Sequence, residues 1–300
     1  MTIPISIFAY LNGGLGNQLF QYATARAMAY RHNAELVLDN WSGFVRDRQY
    51  RRHYELAPLP VRARIARPWQ RLPIWLYRWQ YRHRRQPPEL VNRHRYGDFL
   101  QETEISFLPV LLQVQPVRST WLVGYWQSPR YFDDCATLLR SELMPPPPNQ
   151  RRFLTLGDEM QRTNSVALGI RLYEESADPA VHAREGRVKT AADIRATVER
   201  LRLRQPQARF YIFCAHRSPL LDQLNLPDDT VSVTHDDGFT GTLERLWLMT
   251  RCRHHIITNS SYYWWGAWLS AAVRGSESQQ ILAADNFVNS DSLCPQWETF

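Results

Sequence analysis

Residues 3–39 read IPISIFAYLNGGLGNQLFQYATARAMAYRHNAELVLD, and their reading decides the fold. Ile3 to Tyr10 is a nearly continuous apolar run, the pattern of a buried strand. Asn12-Gly13-Gly14-Leu15-Gly16-Asn17-Gln18 is a glycine-rich polar turn. Phe20, Ala23, Ala27 and Tyr30 then recur on one face at helical spacing. Glu35 to Asp39 reads as a second strand. Strand, turn, helix, strand is a βαβ unit, and its crossover returns the chain to the same end of a parallel sheet.

The turn is not a dinucleotide fingerprint, because Leu19 stands where the third glycine belongs, and no lysine follows to make a phosphate loop. Gly14 and Gly16 let a ligand approach the backbone, and Asn17 and Gln18 offer amides to sugar or phosphate oxygens. A plain tight turn accounts for the same residues equally well.

Outward from this unit, Trp121 to Trp126 reads as a strand ending in a turn. A helix follows Pro129, with Tyr131, Phe132, Ala136 and Leu139 as its apolar side. Pro145 to Pro148 cannot continue a helix and reads as a semi-rigid connector. We place the domain boundary there: residues 1–144, then residues 145–300. Past the connector, strands at Val166–Ile170, Phe210–Cys214, Val231–Val233, His255–Thr258 and Ile281–Ala283 alternate with helices at Ala191–Leu203, Thr242–Cys252 and Tyr262–Val273. The fold class is therefore α/β, with two doubly wound parallel-sheet domains of Rossmann type.

His254 to Ala271, HHIITNSSYYWWGAWLSA, repeats the strand–turn–helix theme. Its corner, Thr258-Asn259-Ser260-Ser261, puts hydroxyls and unsatisfied backbone N–H groups at a helix start, where an anion such as phosphate is favoured. An ordinary capped helix start explains the same residues. Trp264, Trp265 and Trp268 recur at helical spacing and read as core. His254 and His255 have no cysteine or carboxylate at ligand spacing and read as structural. The polar segments fall at strand ends: Asn12 to Gln18, Asp39, Arg171 to Glu175, and Thr258 to Ser261. Ligands in open parallel sheets bind there.

The formal charge is +7, and Lys189 is the only lysine. Fourteen arginines between Arg46 and Arg95 face only Asp47, Glu55 and Glu89, in a stretch that also holds Trp69, Trp75 and Trp79. A helix or two within Arg67–Arg85 should carry Trp and Tyr on the inner side. Such a surface suits nucleic acid, an anionic membrane, or a glycan and nucleotide substrate. Cys135, Cys214, Cys252 and Cys294 are scattered and form no CxxC, so they read as buried thiols of a reducing compartment. The N-terminus reads as a strand rather than a signal peptide, and no apolar run approaches the roughly 20 residues of a membrane span. The expected location is cytoplasmic, with the basic stretch suited to a peripheral place at an anionic membrane face.

Three motifs in order resemble glycosyltransferase family 11, the α-1,2-fucosyltransferases and their bacterial relatives. They are Gly13-Gly14-Leu15-Gly16-Asn17-Gln18-Leu19-Phe20, Gly124-Tyr125-Trp126-Gln127-Ser128, and Asn259-Ser260-Ser261-Tyr262-Tyr263-Trp264-Trp265-Gly266-Ala267-Trp268. The resemblance implies a GT-B-like fold with the two domains facing a cleft. The C-terminal domain would hold GDP-fucose and the N-terminal domain the acceptor. It implies inversion at the anomeric carbon, with no metal and no other cofactor. The expected acceptor is an oligosaccharide or lipid-linked glycan of a bacterial surface polysaccharide. The expected partners include no nucleic acid.

The family's central motif, His-x-Arg-Arg-Gly-Asp, departs here. The aligned run is Gly169-Ile170-Arg171-Leu172-Tyr173-Glu174, which keeps the first arginine. Cys214-Ala215-His216 stands where Ser-Asp-Asp is frequent. The resemblance gives Arg171 the leaving β-phosphate. Asn259, Ser260 and Ser261 would hold the diphosphate, with Gly14, Gly16, Asn17 and Gln18 lining the site from the other domain. Glu174 and Glu175, next to Arg171, are candidate general bases, with Asp39 the second choice. The lost histidine and acid concern guanine reading, so a different nucleotide-sugar donor stands as the alternative, with a non-catalytic binding relative behind it.

Overall fold

The computed structural model describes residues 5–45, 47–83, 89–171 and 189–300. The chain divides into two compact units, Met1–Leu143 and Met144–Phe300, and each is an α/β unit built on one six-stranded sheet.

The first unit runs β1 (Ser6–Tyr10), α1 (Leu15–Arg31), β2 (Glu35–Asp39), β3 (Arg64–Ile65), α2 (Pro68–Arg82), β4 (Val91–His94), β5 (Gly97–Gln101), β6 (Thr120–Val123) and α3 (Ala136–Leu143). Its sheet order is β3-β2-β1-β6-β5-β4. The strands are parallel except β4, which runs antiparallel to β5. The expected wholly parallel sheet is thus corrected at one edge. The connection between those two strands is only Arg95-Tyr96, and so short a link permits only an antiparallel return.

Two burial expectations are also corrected. On α1, Phe20, Ala23 and Ala27 are buried, but Tyr30 is 61% exposed because the helix's last two residues reach solvent. On α2, Trp69, Trp75 and Trp79 are 64%, 37% and 54% exposed, so the indoles are not the inner side. Ile74 and Tyr77 fill that face instead, with Tyr77 stacked on Phe99 at 4.3 Å between ring centroids. The helix expected from Pro129 begins as two short 3-10 turns, Pro129–Tyr131 and Asp133–Cys135, before α3.

The second unit runs α4 (Arg151–Arg162), β7 (Ser165–Gly169), α5 (Ala191–Arg204), β8 (Arg209–Phe213), β9 (Val231–Val233), α6 (Thr242–Arg251), β10 (His254–Ile257), α7 (Ser261–Arg274), β11 (Ile281–Ala283) and β12 (Glu298–Thr299). Its described strands are all parallel, in the order β12-β11-β10-β7-β8-β9. Read from the other edge this is 3-2-1-4-5-6, the order of dinucleotide-binding sheets, and its switch point lies between β7 and β10. The core on one face joins Val166 and Leu168 of β7 to Ile194, Val198 and Leu201 of α5. The four cysteines are buried free thiols. Among the described residues no helix is long and apolar enough to cross a membrane.

Candidate functional site

In the second unit the switch point is stitched by one side chain. Gly169 of β7 lies level with Ile257 of β10. Just beyond them, Thr258 donates both its N–H (3.0 Å) and its hydroxyl (3.1 Å) to the Gly169 carbonyl. The Thr258 Oγ1 in turn accepts from the Arg171 N–H at 2.8 Å. Arg171 is half-buried and leaves the sheet at this corner. Asn259 and Ser260 follow Thr258, and α7 opens at Ser261 with Ser260 as its N-cap.

The Ser260 hydroxyl makes no capping bond, so the helix start is not the ordinary capped one. The first-turn N–H groups and the positive end of the helix dipole meet at this corner, which favours an anion. The structure therefore brings Arg171, Asn259, Ser260 and Ser261 together. Glu174 and Glu175, the candidate bases, lie outside the described residues. Behind the corner, Trp264, Trp265 and Trp268 are buried core, and the Trp264 indole donates to the Ser292 carbonyl at 2.7 Å.

Beside this corner, at the ends of β8 and β9, His216 Nδ1 lies 3.0 Å from Asp236 Oδ1. The other Asp236 oxygen accepts the Arg217 N–H at 2.8 Å. The His216 contact, with the Arg217 N–H, holds the Asp236 carboxyl below the usual carboxylate range. Arg245 closes the corner by donating to the Cys214 carbonyl at 2.8 Å. A carboxylate thus stands near position 216 after all, supplied by the neighbouring strand end. Sequence reading missed it because the two residues are twenty positions apart.

The first unit has its own switch point, between β1 and β6, and two more motifs meet there. The Gln127 amide donates to Asn17 Oδ1 at 2.8 Å, and Gln21 donates to the Gly124 carbonyl at 3.2 Å. Gly13 adopts φ +74°, and Gly14 caps α1 with the Arg52 guanidinium 3.5 Å from where its β-carbon would be. Trp126 is fully buried at φ +55°. The Glu102 carboxylate holds that turn, accepting the Tyr125 N–H at 2.7 Å and the Trp126 N–H at 2.9 Å.

Gln18 is corrected as a ligand-binding residue. It is fully buried, and its amide donates to the carbonyls of Gly13 (2.9 Å) and His53 (2.8 Å) while its oxygen accepts from the Glu55 N–H (2.9 Å). Gly16 is buried in the first turn of α1. Asp39, the second-choice base, ends β2. It is fully buried and accepts the N–H groups of Trp41 (3.2 Å) and Ser42 (3.0 Å). Both bonds fall on Oδ1, and burial raises the pKa of this carboxyl. Gly14 and Asn17 remain at the accessible side of the turn.

Next to this turn is a cavity of about 240 Å³. Trp75, Arg78, Trp79 and Arg82 of α2 form one wall, and Tyr10, Asn12 and Asp47 stand on the other. The signal was present in the sequence: Trp75/Trp79 and Arg78/Arg82 are two pairs at i, i+4, neighbours on a helix surface.

The sequence profile of Glycosyl transferase family 11 matches residues 95–298. The alpha-1,2-colitosyltransferase of Escherichia coli is 25% identical over 269 residues, spanning 88% of this chain and 87% of its own. The O-antigen biosynthesis glycosyltransferase WbnK of Escherichia coli is 25% identical over 287 residues, spanning 88% and 90%. Among solved structures, the NodZ alpha-1,6-fucosyltransferase of Bradyrhizobium, co-crystallised with GDP, matches with a TM-score of 0.46 at 12% identity, over 88% of this chain and 92% of that one.

Proposed function

The chain belongs to glycosyl transferase family 11 and is a glycosyltransferase, and on that premise we propose that it moves L-fucose from GDP-fucose to a galactoside hydroxyl of a bacterial surface polysaccharide, forming an α-1,2 bond. The WbnK relative, named for O-antigen biosynthesis, supports the acceptor class. The acceptor oxygen attacks the anomeric carbon from the face opposite the diphosphate. The bond from that carbon to the β-phosphate oxygen breaks, and GDP leaves with the electron pair, so configuration inverts. Either Glu174 or Glu175 takes the acceptor proton.

One observation carries this reading: the Thr258 hydroxyl fixes Arg171 at the corner where α7 begins. A guanidinium and a helix N-terminus together neutralise a departing diphosphate without a metal. Arg171→Ala is expected to abolish transfer with the fold intact, and full activity in that variant would sink the assignment. Calorimetric titration of GDP, UDP and ADP, with magnesium and with EDTA, tests both donor and metal independence. GDP should bind alone, equally in both conditions.

A second reading keeps the chemistry and changes the donor. Position 169 is glycine where the resembled motif has histidine, and one relative is named for colitosyl rather than fucosyl transfer. Preference for UDP or ADP in that titration would establish a change of nucleotide; GDP binding with no fucosyl transfer from GDP-fucose would establish a change of sugar. We also place the enzyme in the cytoplasm, peripheral at an anionic membrane face. Exposed Trp69 and Leu72 beside Arg67 support this. Flotation with phosphatidylglycerol vesicles should exceed that with phosphatidylcholine vesicles; equal flotation refutes the placement.

A further inference from the structure

We propose that the cavity beside α2 is the subsite for an acceptor sugar and that it selects a pyranose carrying a carboxylate or phosphate. The inference rests on the glycosyl-transfer reading and gives it a substrate class.

Position comes first. Tyr10 ends β1, Asn12 follows it, and Ser42 and Gly43 follow β2, so the cavity opens at the carboxyl ends of parallel strands. At about 240 Å³ it lies just below the roughly 300–1,000 Å³ of drug-sized sites, which suits one sugar ring rather than a chain.

Charge comes next. Elsewhere in this unit, among the described residues, five arginines face carboxylates, among them Arg26 and Glu142 at 2.9 Å, Arg64 and Glu35 at 2.8 Å, and Arg118 and Asp98 at 2.6 Å. Among the described residues neither Arg78 nor Arg82 has a carboxylate within ion-pair distance. Arg78 instead lies over the Tyr10 ring, 5.5 Å from its centroid. Asp47, the one acid among the described residues that line the cavity, is engaged in its own turn, accepting the N–H groups of Tyr50 and Arg52 at 3.0 Å each. Two permanently charged, planar donor forks therefore face the cavity, and their matching partner is a carboxylate or phosphate.

Aromatic surface completes the case. Trp75 and Trp79 expose indole on the same wall, one helical turn apart, interleaved with the two arginines. The negative face of an indole takes the C–H face of a pyranose, while the guanidiniums beside it take the anion. The indoles add a contact that a bare anion does not use, and the guanidiniums pair with a carboxylate or phosphate by charge-assisted, bidentate bonds that a neutral hydroxyl does not offer.

The test is direct binding to the full chain, followed by tryptophan fluorescence and saturation-transfer NMR. The probes are methyl galactosiduronate, galactose 1-phosphate, uncharged methyl galactoside and inorganic phosphate. At least one anionic sugar should bind tenfold or more tighter than both the neutral sugar and phosphate. The double variant Arg78→Gln/Arg82→Gln should erase that preference, and Trp79→Ala should weaken all three sugars. A uronate preference assigns the charge to an acidic residue of the glycan; a sugar-phosphate preference assigns it to a carrier-linked end; both support the proposal. Equal binding of the neutral sugar, phosphate binding as tightly as galactose 1-phosphate, retained preference in the double variant, or no binding of any sugar overturns it. GDP titration runs in parallel. Its failure in the unaltered protein would refute the donor reading, whereas failure of the sugar titrations with GDP binding intact would refute only this subsite.

Discussion

The ring of Tyr263 lies against Gly169, so close that a β-carbon on Gly169 would stand 2.6 Å from Tyr263 Cγ. The Tyr263 hydroxyl meanwhile donates to the Ile170 carbonyl at 3.0 Å. Helix α7 is thus packed onto the end of β7 through an aromatic ring that leaves no room for a side chain. The resembled family motif carries histidine at this position, and here tyrosine fills its space. Gly169→His should therefore destabilise the second unit by about 1–3 kcal/mol, the range for overpacking a close-packed site. In a Tyr263→Ala background the same change should cost markedly less, because the two side chains exclude each other. Urea unfolding of the four proteins measures this coupling, and equal costs in both backgrounds would refute it.

Thr258 offers a sharper test of the corner than Arg171 itself. Its hydroxyl accepts from the Arg171 N–H and donates to the Gly169 carbonyl, so valine, of nearly the same shape, leaves the Arg171 N–H without this acceptor, while the Gly169 carbonyl keeps the backbone N–H of residue 258. Leaving a buried polar group unsatisfied costs about 1–3 kcal/mol. If that cost falls on the placement of Arg171 in the transition state, kcat drops about 10- to 100-fold. Thr258→Ser keeps the oxygen and should stay near the parent rate. A valine variant with parental kcat would show that the backbone of Arg171 needs no such tether.

The sheets and helices were legible where one periodicity ran unbroken. Glu35–Asp39, Val231–Val233 and Ile281–Ala283 match their predicted bounds, marked by polar residues at Glu35 and Asp39, at Thr230 and Thr234, and at Gln280. The β4–β5 hairpin was illegible because Arg93, His94, Arg95 and Asp98 break any apolar pattern. Helix α4 was overlooked although Phe153, Leu156, Gly157 and Met160 mark its inner face at helical spacing. Motif positions located the corners at Arg171 and Ser260, since strand ends are readable. What could not be read was which amides are spent on the fold. Gln18 and Asn17 look alike in sequence, and only the partners Gly13, His53 and Glu55 show that Gln18 is sealed.

His254 and His255 give the second unit an acid limit. Gln280 donates to His254 Nδ1 at 3.0 Å, so the ring proton sits on Nε2 and is donated to Asn164 Oδ1, also at 3.0 Å. That tautomer is neutral. Burial, with the charges of Arg253 and Arg274, lowers the His254 pKa to about 4; burial, with His254 itself, lowers that of His255 to about 3. Below the ordinary histidine pKa of about 6.5 the unfolded chain takes up protons that the folded unit refuses. Stability is therefore full above that pH and falls as pH drops toward 4, by up to about 1.4 kcal/mol per pH unit for each histidine. Urea midpoints between pH 7.5 and 4.5 should decline less steeply in His255→Leu than in the parent. Parallel declines would assign acid sensitivity to other groups.

Glu102 supports the strained turn of the first unit with both its oxygens. Oε2 accepts from Tyr125 and Oε1 from Trp126, and these two bonds hold a buried tryptophan at φ +55°, a conformation costing of order 1–3 kcal/mol. Glutamine has nearly the same shape but one oxygen only, so in Glu102→Gln its NH₂ must face a backbone N–H. One amide of the pair then loses its acceptor, at about 1–3 kcal/mol. Aspartate keeps both oxygens on a shorter stem and should retain more of the turn than glutamine. The same turn carries Gln127 to Asn17, so its relaxation reaches the glycine-rich start of α1 as well. Hydrogen exchange reads this residue by residue. In Glu102→Gln the amide of Tyr125 or of Trp126 should lose protection and Gln127 should become mobile, with transfer activity falling in step. Unchanged protection of both amides would mean that the packing of the buried indole, rather than the carboxylate, fixes the turn.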